Sequence, residues 1–315
     1  MNDGTEPGSS QGAKPRSRRM ALLQRAGLFT ALPKGVTIER ATGLEDLRDA
    51  YHLVHEIFVD EGYIRPFPGE LRMRAFEALP DTATLVAKAD GKIVGVQSLI
   101  PDAEYVGIPS DRAFRGEIDA LRSEGRRVCE AANEAVAAEY RRSAIPTELM
   151  RCCFAHAVST GCTDVVTAVS PGHAKFYALM GFETISPVRS FSEMLRDPVV
   201  VVRFNFDTVR DHVAKAEAQD AEDEAVLVDY YLNSNPYNDR VASWSRTAEE
   251  FFEDPQTLRE LFDDLSKLLS RCNLNELRAI GQSWGEKTFV DVIGQIGSAF
   301  CKKPQPQPSQ VPDSD

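Results

Sequence analysis

The sequence predicts a mixed α/β domain over about residues 36–206, followed by a separate acidic helical region. Strand-like and helix-like segments alternate as far as Phe206, and only helical periodicity follows. The charge changes at the same point: residues 207–315 hold 21 acidic and 11 basic residues, whereas residues 1–206 hold 27 and 25. The excess acidity therefore belongs to the C-terminal third, which argues against nucleic-acid binding there.

The composition is that of an ordinary globular protein with a full hydrophobic core. The chain has 315 residues, of which 43% are hydrophobic and 27% are charged. Residues 1–19 and 302–315 have almost no large apolar side chains that could be buried in a core. We therefore divide the chain into a disordered basic tail (1–19), an α/β domain (20–206), an acidic helical region (207–301) and a disordered tail (302–315).

Nothing in the sequence predicts export, a membrane helix or a metal site. No apolar run approaches the ~20 residues that a membrane helix needs. Gln24 and Arg25 interrupt the short apolar run after the basic tail, so we expect a cytoplasmic protein. The six cysteines form no CxxC pair and no zinc-type Cys/His spacing, which favours reduced thiols. His52 and His55 have no further ligand nearby, so no metal is expected.

Each element of the α/β part rests on periodicity or on turn residues. Asp90-Gly91 between two alternating apolar runs predicts a β-hairpin, and Gly125 and Gly161 mark helix ends. In chain order we predict a strand at 36–40, a helix at 44–60, hairpin strands at 84–89 and 92–99, a helix at 111–124, a strand at 126–136, a helix at 146–160, a strand at 164–169, a helix at 171–180, a strand from Phe182 and a last strand at 199–206.

Capped amphipathic helices dominate the acidic region. Asp254 and Pro255 open one helix, and Asn273 with Glu276 has the spacing of a capping box that opens the next. Six large apolar residues form a stripe before that box: Leu258, Leu261, Phe262, Leu265, Leu268 and Leu269. The stripe could pack on the α/β domain, on helix 274–300 or on a second subunit. We favour the neighbouring helix and expect residues 207–300 to be dispensable for the chemistry but not for solubility or assembly.

Residues 148–182 carry the most specific pattern. A helix and a buried strand are followed by a break at Ser170-Pro171-Gly172 and then by H-x-x-F-Y-x-x-x-G-F at 173–182. This pattern resembles the fifth strand and following helix of the GNAT acyltransferase superfamily, in which a thioester arm lies between two splayed parallel strands. The resemblance implies a GNAT-type mixed sheet flanked by helices, here with a C-terminal helical extension.

Four segments together narrow the resemblance. Residues 50–66, 82–102, 107–130 and 148–182 are similar, in this order, to the long-chain N-acyl amino acid synthases of the FeeM type, which are related in fold to acyl-homoserine-lactone synthases. The resemblance implies an N-acyltransferase that moves a long acyl chain from a thioester, usually on acyl carrier protein, to an amine such as an amino acid. It implies no permanently bound cofactor, since the acyl-phosphopantetheine thioester (acyl carrier protein or acyl coenzyme A) is a co-substrate.

The segment between the fourth strand and its helix bears on the acyl donor. Coenzyme A users in the superfamily carry a Q/R-x-x-G-x-G/A loop there, whose amides hold the pyrophosphate. Residues 133–151 contain no glycine, which favours a donor whose pantetheine is attached to a protein. Arg141, Arg142 and Arg151 could then meet an acidic carrier protein, or they could be solvated surface charges.

Glu130 and Tyr177 are the candidate catalytic residues. Glu130 lies on the strand expected to border the cleft, where a carboxylate could accept the amine proton. Alternatively, it forms a structural ion pair with Arg126 or Arg127. By the resemblance, Tyr177 is a candidate acid toward the leaving sulfur, and the alternative for this residue is a core aromatic.

The resemblance also implies substrate contacts around these two residues. One is Arg127, whose G-R-R-V-C-E context loosely matches the family's Gly-Arg-x-x-x-Glu region. The others lie at the end of the fifth strand and on the following helix: Val169, Ser170, His173 and Phe176. His173 could equally serve to pack the helix terminus.

Two other functions fit the same fold. One is a small-molecule N-acetyltransferase that uses acetyl coenzyme A, which the glycine-free loop disfavours. The other is a non-catalytic GNAT-like scaffold that binds an acyl group or a protein partner through its acidic helices.

Overall fold

A computed structural model describes residues 17–191, 198–215 and 219–294 of the chain. Most of the N-terminal tail and all of the tail from residue 302, both expected to be disordered, lie outside the described residues, as does Cys301. Residues 18 and 19 belong to the first helix, α1 (Arg18–Arg25), which Ser17 caps by accepting a hydrogen bond from the backbone N–H of Met20. This helix was not predicted from the sequence.

An eight-stranded sheet forms the centre of the protein. Its strands are β1 (Val36–Arg40), β2 (Ala83–Ala89), β3 (Lys92–Pro101), β4 (Val128–Val136), β5 (Asp164–Val169), β6 (Glu183–Thr184), β7 (Arg189–Ser190) and β8 (Pro198–Asn205). The order across the sheet is β1-β2-β3-β4-β5-β8-β6, with β7 also paired to β8. Every pair is antiparallel except β4–β5, which is parallel. The prediction of a GNAT-type mixed sheet is confirmed.

Four helices cover the two faces of this sheet. They are α2 (Leu44–Asp60), α3 (Asp111–Ser123), α4 (Ile145–Ser159) and α5 (Pro171–Leu179). Their bounds agree with the predicted helices to within one residue at each end. Apolar side chains of β2–β5 pack against α4 on one face, here called the α4 face. The opposite side chains pack against α2 and α3 on the α2 face.

The acidic region is helical, as predicted, and packs on both faces. Its helices are α6 (Phe206–Lys215), α7 (Gln219–Val228), α8 (Val241–Phe252), α9 (Pro255–Arg259), α10 (Leu274–Trp284) and α11 (Glu286–Ile293). The Asp254 cap and the Asn273–Glu276 capping box are both confirmed. Tyr231 lies in the core of the α4 face, whereas Trp284 lies in the core of the α2 face and donates to the Ala78 carbonyl at 2.7 Å.

The apolar stripe packs more widely than we expected. Five of its six residues are buried in the α2-face core together with α2, α10 and α11, and Leu265 is the exposed one. The favoured partner, the neighbouring helix, thus supplies only part of the contact, because the body of the protein supplies the rest. The division of the chain at residue 207 stays a prediction.

Candidate active site

The parallel pair β4–β5 separates partway along its length. Val128, Cys129 and Glu130 pair with Asp164, Val165 and Val166, and the pairing stops there. β4 continues to Val136 bonded only to β3, and β5 continues to Val169 bonded only to β8. The facing edges beyond Glu130 therefore bound a gap, here called the β4–β5 cleft. Strand edges of this kind can pair with an extended amide-containing chain.

A β-bulge in β4 changes the direction of the side chains along the cleft. The register with β3 shifts between Val96 and Ser98, and Asn133 takes a φ of 55°, a backbone conformation that asparagine tolerates better than most residues. Strict two-residue alternation would place residues 130 and 134 on one face. The bulge instead leaves Glu130 on the α2 face and turns Glu134 to the α4 face.

Glu130 lies at the vertex of the cleft. It forms the last pair with β5, is 2% exposed, and accepts a hydrogen bond from the backbone N–H of Ser110 at 2.7 Å. Burial raises the pKa of Glu130 to about 7, against the opposing effect of the Ser110 hydrogen bond. A carboxylate with this pKa is suited to accept a proton near neutral pH.

Glu130 has two alternative ion-pair partners, Arg126 and Arg127. Among the described residues, neither of them forms an ion pair with Glu130. Arg126 binds the buried Asp164 at 2.6 Å and Asp207 at 2.8 Å. Arg127 is exposed next to Gly161, at the closed end of the pair. Arg127 precedes Glu134 by seven residues, or about 20 Å of strand. It therefore lies at the opposite end of the strand pair from the predicted site residues on β5 and α5.

Tyr177 and Glu134 meet across the cleft. The Tyr177 hydroxyl donates to Glu134 Oε2 at 3.1 Å. Burial, together with the Glu134 carboxylate, raises the pKa of Tyr177, so the phenol keeps its proton. Desolvation also raises the pKa of Glu134, although the Tyr177 hydrogen bond and the charge of His173 oppose it. Glu134 is nevertheless reachable by solvent, as expected of a side chain that lines a cleft.

The remaining predicted residues cluster beside this pair. Val169 ends β5 and pairs with Val200, and Ser170 precedes α5 with its Oγ 3.2 Å from His173 Nδ1. His173 is exposed, one helical turn before Tyr177, and Phe176 packs edge-on against the Tyr177 ring. Five of the seven predicted site residues thus lie together on β5 and α5, and Glu130 lies at the vertex, on the α2 face of the sheet.

A buried polar network under the bulge was missed by the sequence analysis. Glu77 Oε1 accepts from Arg74 Nη2 at 2.6 Å and from Asn133 Nδ2 at 2.9 Å, and Asn133 Nδ2 also donates to Ser98 at 3.1 Å. Burial opposes ionisation of Glu77, but the Arg74 charge holds its pKa below the ordinary value. The Arg-x-x-Glu spacing at 74–77 was the available signal, and it falls in a loop where no helix was predicted.

The N-terminus of α4 is covered by the chain itself. Every residue of its first turn is buried except Pro146, which has no N–H. Glu148, in this turn, accepts hydrogen bonds from the hydroxyls of Tyr230 at 2.7 Å and Tyr237 at 2.9 Å. A helix N-terminus covered in this way has few accessible backbone N–H groups that could bind a pyrophosphate group.

The three arginines near this helix differ in their surroundings. Arg151 donates to the carbonyls of Tyr230 and Ser234 and lies 4.0 Å from the centre of the Tyr230 ring, so it fixes the C-terminal segment. Arg141 forms an exposed ion pair with Glu61 at 2.7 Å. Arg142 is exposed and has no acidic partner among the described residues. Arg141 and Arg142 are thus the two that a protein partner could reach.

Residues 17–191, 198–215 and 219–294 contain neither a metal-binding cluster nor a membrane-spanning helix. No group of three or more His, Cys, Asp or Glu side chains in these ranges could hold a metal ion. No helix in them is long and apolar enough to span a bilayer.

Residues 49–205 match the family model described as N-acyl amino acid synthase FeeM. Among solved structures, that of FeeM, an N-acyl amino acid synthase from uncultured soil microbes, has a TM-score of 0.48 at 18% identity, covering 54% of this chain and 89% of that chain. The AHL synthase LasI gives 0.41 at 14% identity, covering 54% and 88%. An acyl-CoA N-acyltransferase from Pseudomonas aeruginosa gives 0.39 at 17% identity, covering 55% and 99%. No curated protein matches the chain.

Proposed function

Through residues 49–205 the chain belongs to the N-acyl amino acid synthase FeeM family, and we propose that it transfers a long acyl chain from an acyl carrier protein thioester to the amine of an amino acid. The protein is an acyltransferase whose acceptor is an amine. The observation that carries the proposal is the vertex at Glu130, where a buried carboxylate lies at the opening of the β4–β5 cleft. A carboxylate in this place can accept a proton from an amine that attacks a thioester whose arm lies in the cleft.

The cleft positions the thioester. The pantetheine arm lies between β4 and β5, and its amides pair with backbone groups of the two strand edges beyond Glu130, as an added strand would. A backbone N–H of the same edges donates to the carbonyl oxygen as it becomes an oxyanion. This arrangement places the carbonyl carbon near the vertex.

Glu130 and the Tyr177–Glu134 pair divide the proton transfers. The amine nitrogen attacks the carbonyl carbon while Glu130 accepts a proton from it, directly or through water. The carbon–sulfur bond then breaks, and the leaving thiolate takes a proton from the Tyr177 hydroxyl. Tyr177 then recovers a proton from solvent, relayed through the solvent-reachable Glu134 carboxylate, and Glu130 releases the proton taken from the amine to water. The products are an amide and a free pantetheine thiol.

The cover over α4 favours a carrier protein as the donor. In a coenzyme A enzyme the first turn of this helix holds the pyrophosphate, but here Glu148 and the tyrosines bound to it occupy that region. A phosphopantetheine attached to a protein has no pyrophosphate to bind. Arg141 and Arg142, on the adjacent surface, would attract an acidic carrier.

Expression in a bacterium, followed by mass spectrometry of the lipid extract, tests this function. We expect N-acyl amino acids that are absent from cells expressing the Glu130→Gln variant at an equal level of folded protein. Identical extracts from the two strains would refute the proposal.

A further inference from the structure

A charged site without a counterion lies on the α2 face, outside the β4–β5 cleft. Arg72 is 9% exposed, and its Nε and Nη1 have no hydrogen-bond partner among the described residues. Its guanidinium lies 6.0 Å from the centre of the Phe58 ring and 5.4 Å from that of Phe67. Aromatic faces attract a cation but leave its N–H groups free to bind something else.

The C-terminal region supplies a second cation to this site. The Arg271 guanidinium lies 5.0 Å from the centre of the Phe67 ring. It donates only to carbonyls, those of Lys267 and Ser266 at 3.1 Å and that of Met73 at 3.5 Å. Two guanidinium groups therefore share one aromatic ring, and no acid among the described residues binds either of them.

The loop that carries Arg72 is held tightly against the C-terminal region. Gly69 has a φ of 69°, and the Leu265 carbonyl lies where a Cβ would stand, so no other residue fits without movement. The Arg72 backbone N–H donates to the Tyr51 carbonyl of α2 at 3.1 Å. The loop is thus clamped from both sides, which fixes the guanidinium in place.

The charges nearby leave Arg72 uncompensated. Glu77 is the acid whose charge favours ionised Arg72, but it is already bound by Arg74 and Asn133. Burial and the charge of Arg74 lower the pKa of Arg72 to about 9, so it remains a cation at neutral pH. A buried cation without an anion is unfavourable unless a ligand supplies the anion.

We propose that Arg72 and Arg271 form a carboxylate-binding site, and that its ligand is the carboxylate of the acceptor amine. This inference rests on the proposed function. A planar guanidinium matches a carboxylate in shape and charge. Arg72 lies on the same sheet face as Glu130, and the intervening Arg74–Glu77 pair lies under β4. The acidic region, through Arg271, then takes part in recognising the amino-acid acceptor.

Kinetics with paired acceptors test the site. We would compare tyrosine with tyramine, and leucine with isoamylamine, in the full-length wild type and in Arg72→Met, Arg271→Met and the control Arg48→Met, which removes an exposed arginine of α2. Loss of a charge-assisted contact should raise KM for the amino acids about 10- to 100-fold in Arg72→Met. The rise should be smaller in Arg271→Met, because Arg271 is exposed whereas Arg72 is buried. KM for the decarboxylated amines should not change. Equal effects on both members of a pair would overturn the proposal.

Thermal unfolding provides a readout that does not depend on activity. Removing an uncompensated buried charge should leave the Tm of ligand-free Arg72→Met equal to or above that of the wild type. N-dodecanoyl-tyrosine should raise the Tm of the wild type, and this gain should be lost in Arg72→Met. A lower Tm in the ligand-free variant, with the gain retained, would show that Arg72 is structural. If the wild type transfers no acyl group but shows the Arg72-dependent gain, only the proposed function fails.

Discussion

Replacement of Glu130 by glutamine should lower activity and raise stability at the same time. The carboxylate is buried at the vertex of the β4–β5 cleft, and burial raises its pKa from an ordinary value of 4.5 to about 7. A positioned base contributes about 10²–10⁴-fold to such a transfer, so we expect kcat to fall by that factor in Glu130→Gln. Glutamine is nearly isosteric and can still accept the Ser110 N–H, so the fold should be retained.

The stability gain follows from the same pKa. Because the folded protein binds this proton more tightly than the unfolded chain, the stability that the proton contributes is present below pH 4.5 and is lost as the pH rises through 7. At pH 8 the wild type therefore holds a buried charge that the variant lacks. A shift of this size corresponds to about 3 kcal/mol, or roughly 5 °C in Tm for a protein of this length. At pH 4 the two proteins should be equally stable.

Urea denaturation and acyl-transfer rates over pH 4–9 would measure both effects. The wild-type kcat/KM should show an inflection near pH 7 that is missing in Glu130→Gln. Glu124→Gln, the same change at an exposed site, should alter neither quantity. Wild-type turnover in the variant, or a variant less stable than the wild type at pH 8, would refute the reasoning.

Three further predictions concern the leaving group, the donor and the C-terminal region. Tyr177→Phe removes the proton donor and should lower kcat about 10- to 100-fold with little change in Tm; an unchanged rate would exclude the role. Arg142→Glu should weaken use of acylated carrier protein, most at low salt, whereas Lys287→Glu on α11 should not; equal effects of both would argue against docking there. Removal of residues 207–315 exposes the apolar cores of the α4 face and the α2 face that this region covers, so the fragment should aggregate or melt far below the intact protein. A fragment with the intact Tm would contradict this.

The regular part of the fold was predictable because each element has a local signal. The Asp90-Gly91 turn, the periodicity of 44–60 and the Asn273–Glu276 box depend on neighbours within a few residues, and all three are present in the structure. The local sequence pattern was also enough to place Glu130 on β4. Its position at the vertex could not be predicted in this way, since that depends on where β4 and β5 cease to pair.

What escaped prediction depends on contacts distant in sequence. Glu134 reaches Tyr177 because of the bulge at Asn133, and an asparagine in a strand does not by itself indicate a bulge. The partners of Glu148 come from more than 80 residues away. No helix bounds were predicted between residues 207 and 252, where α8 packs through Val241 on the α4 face and through Phe251 on the α2 face.

The most direct test of the central claim is the reaction itself. The purified full-length protein would be given hexadecanoyl acyl carrier protein, hexadecanoyl coenzyme A or acetyl coenzyme A with a mixture of amino acids, and amides would be identified by mass spectrometry. We predict N-hexadecanoyl amino acids with the carrier-protein donor and much slower formation from either coenzyme A thioester. N-acetylated products from acetyl coenzyme A at an equal or greater rate, or no amide from any donor, would contradict the account.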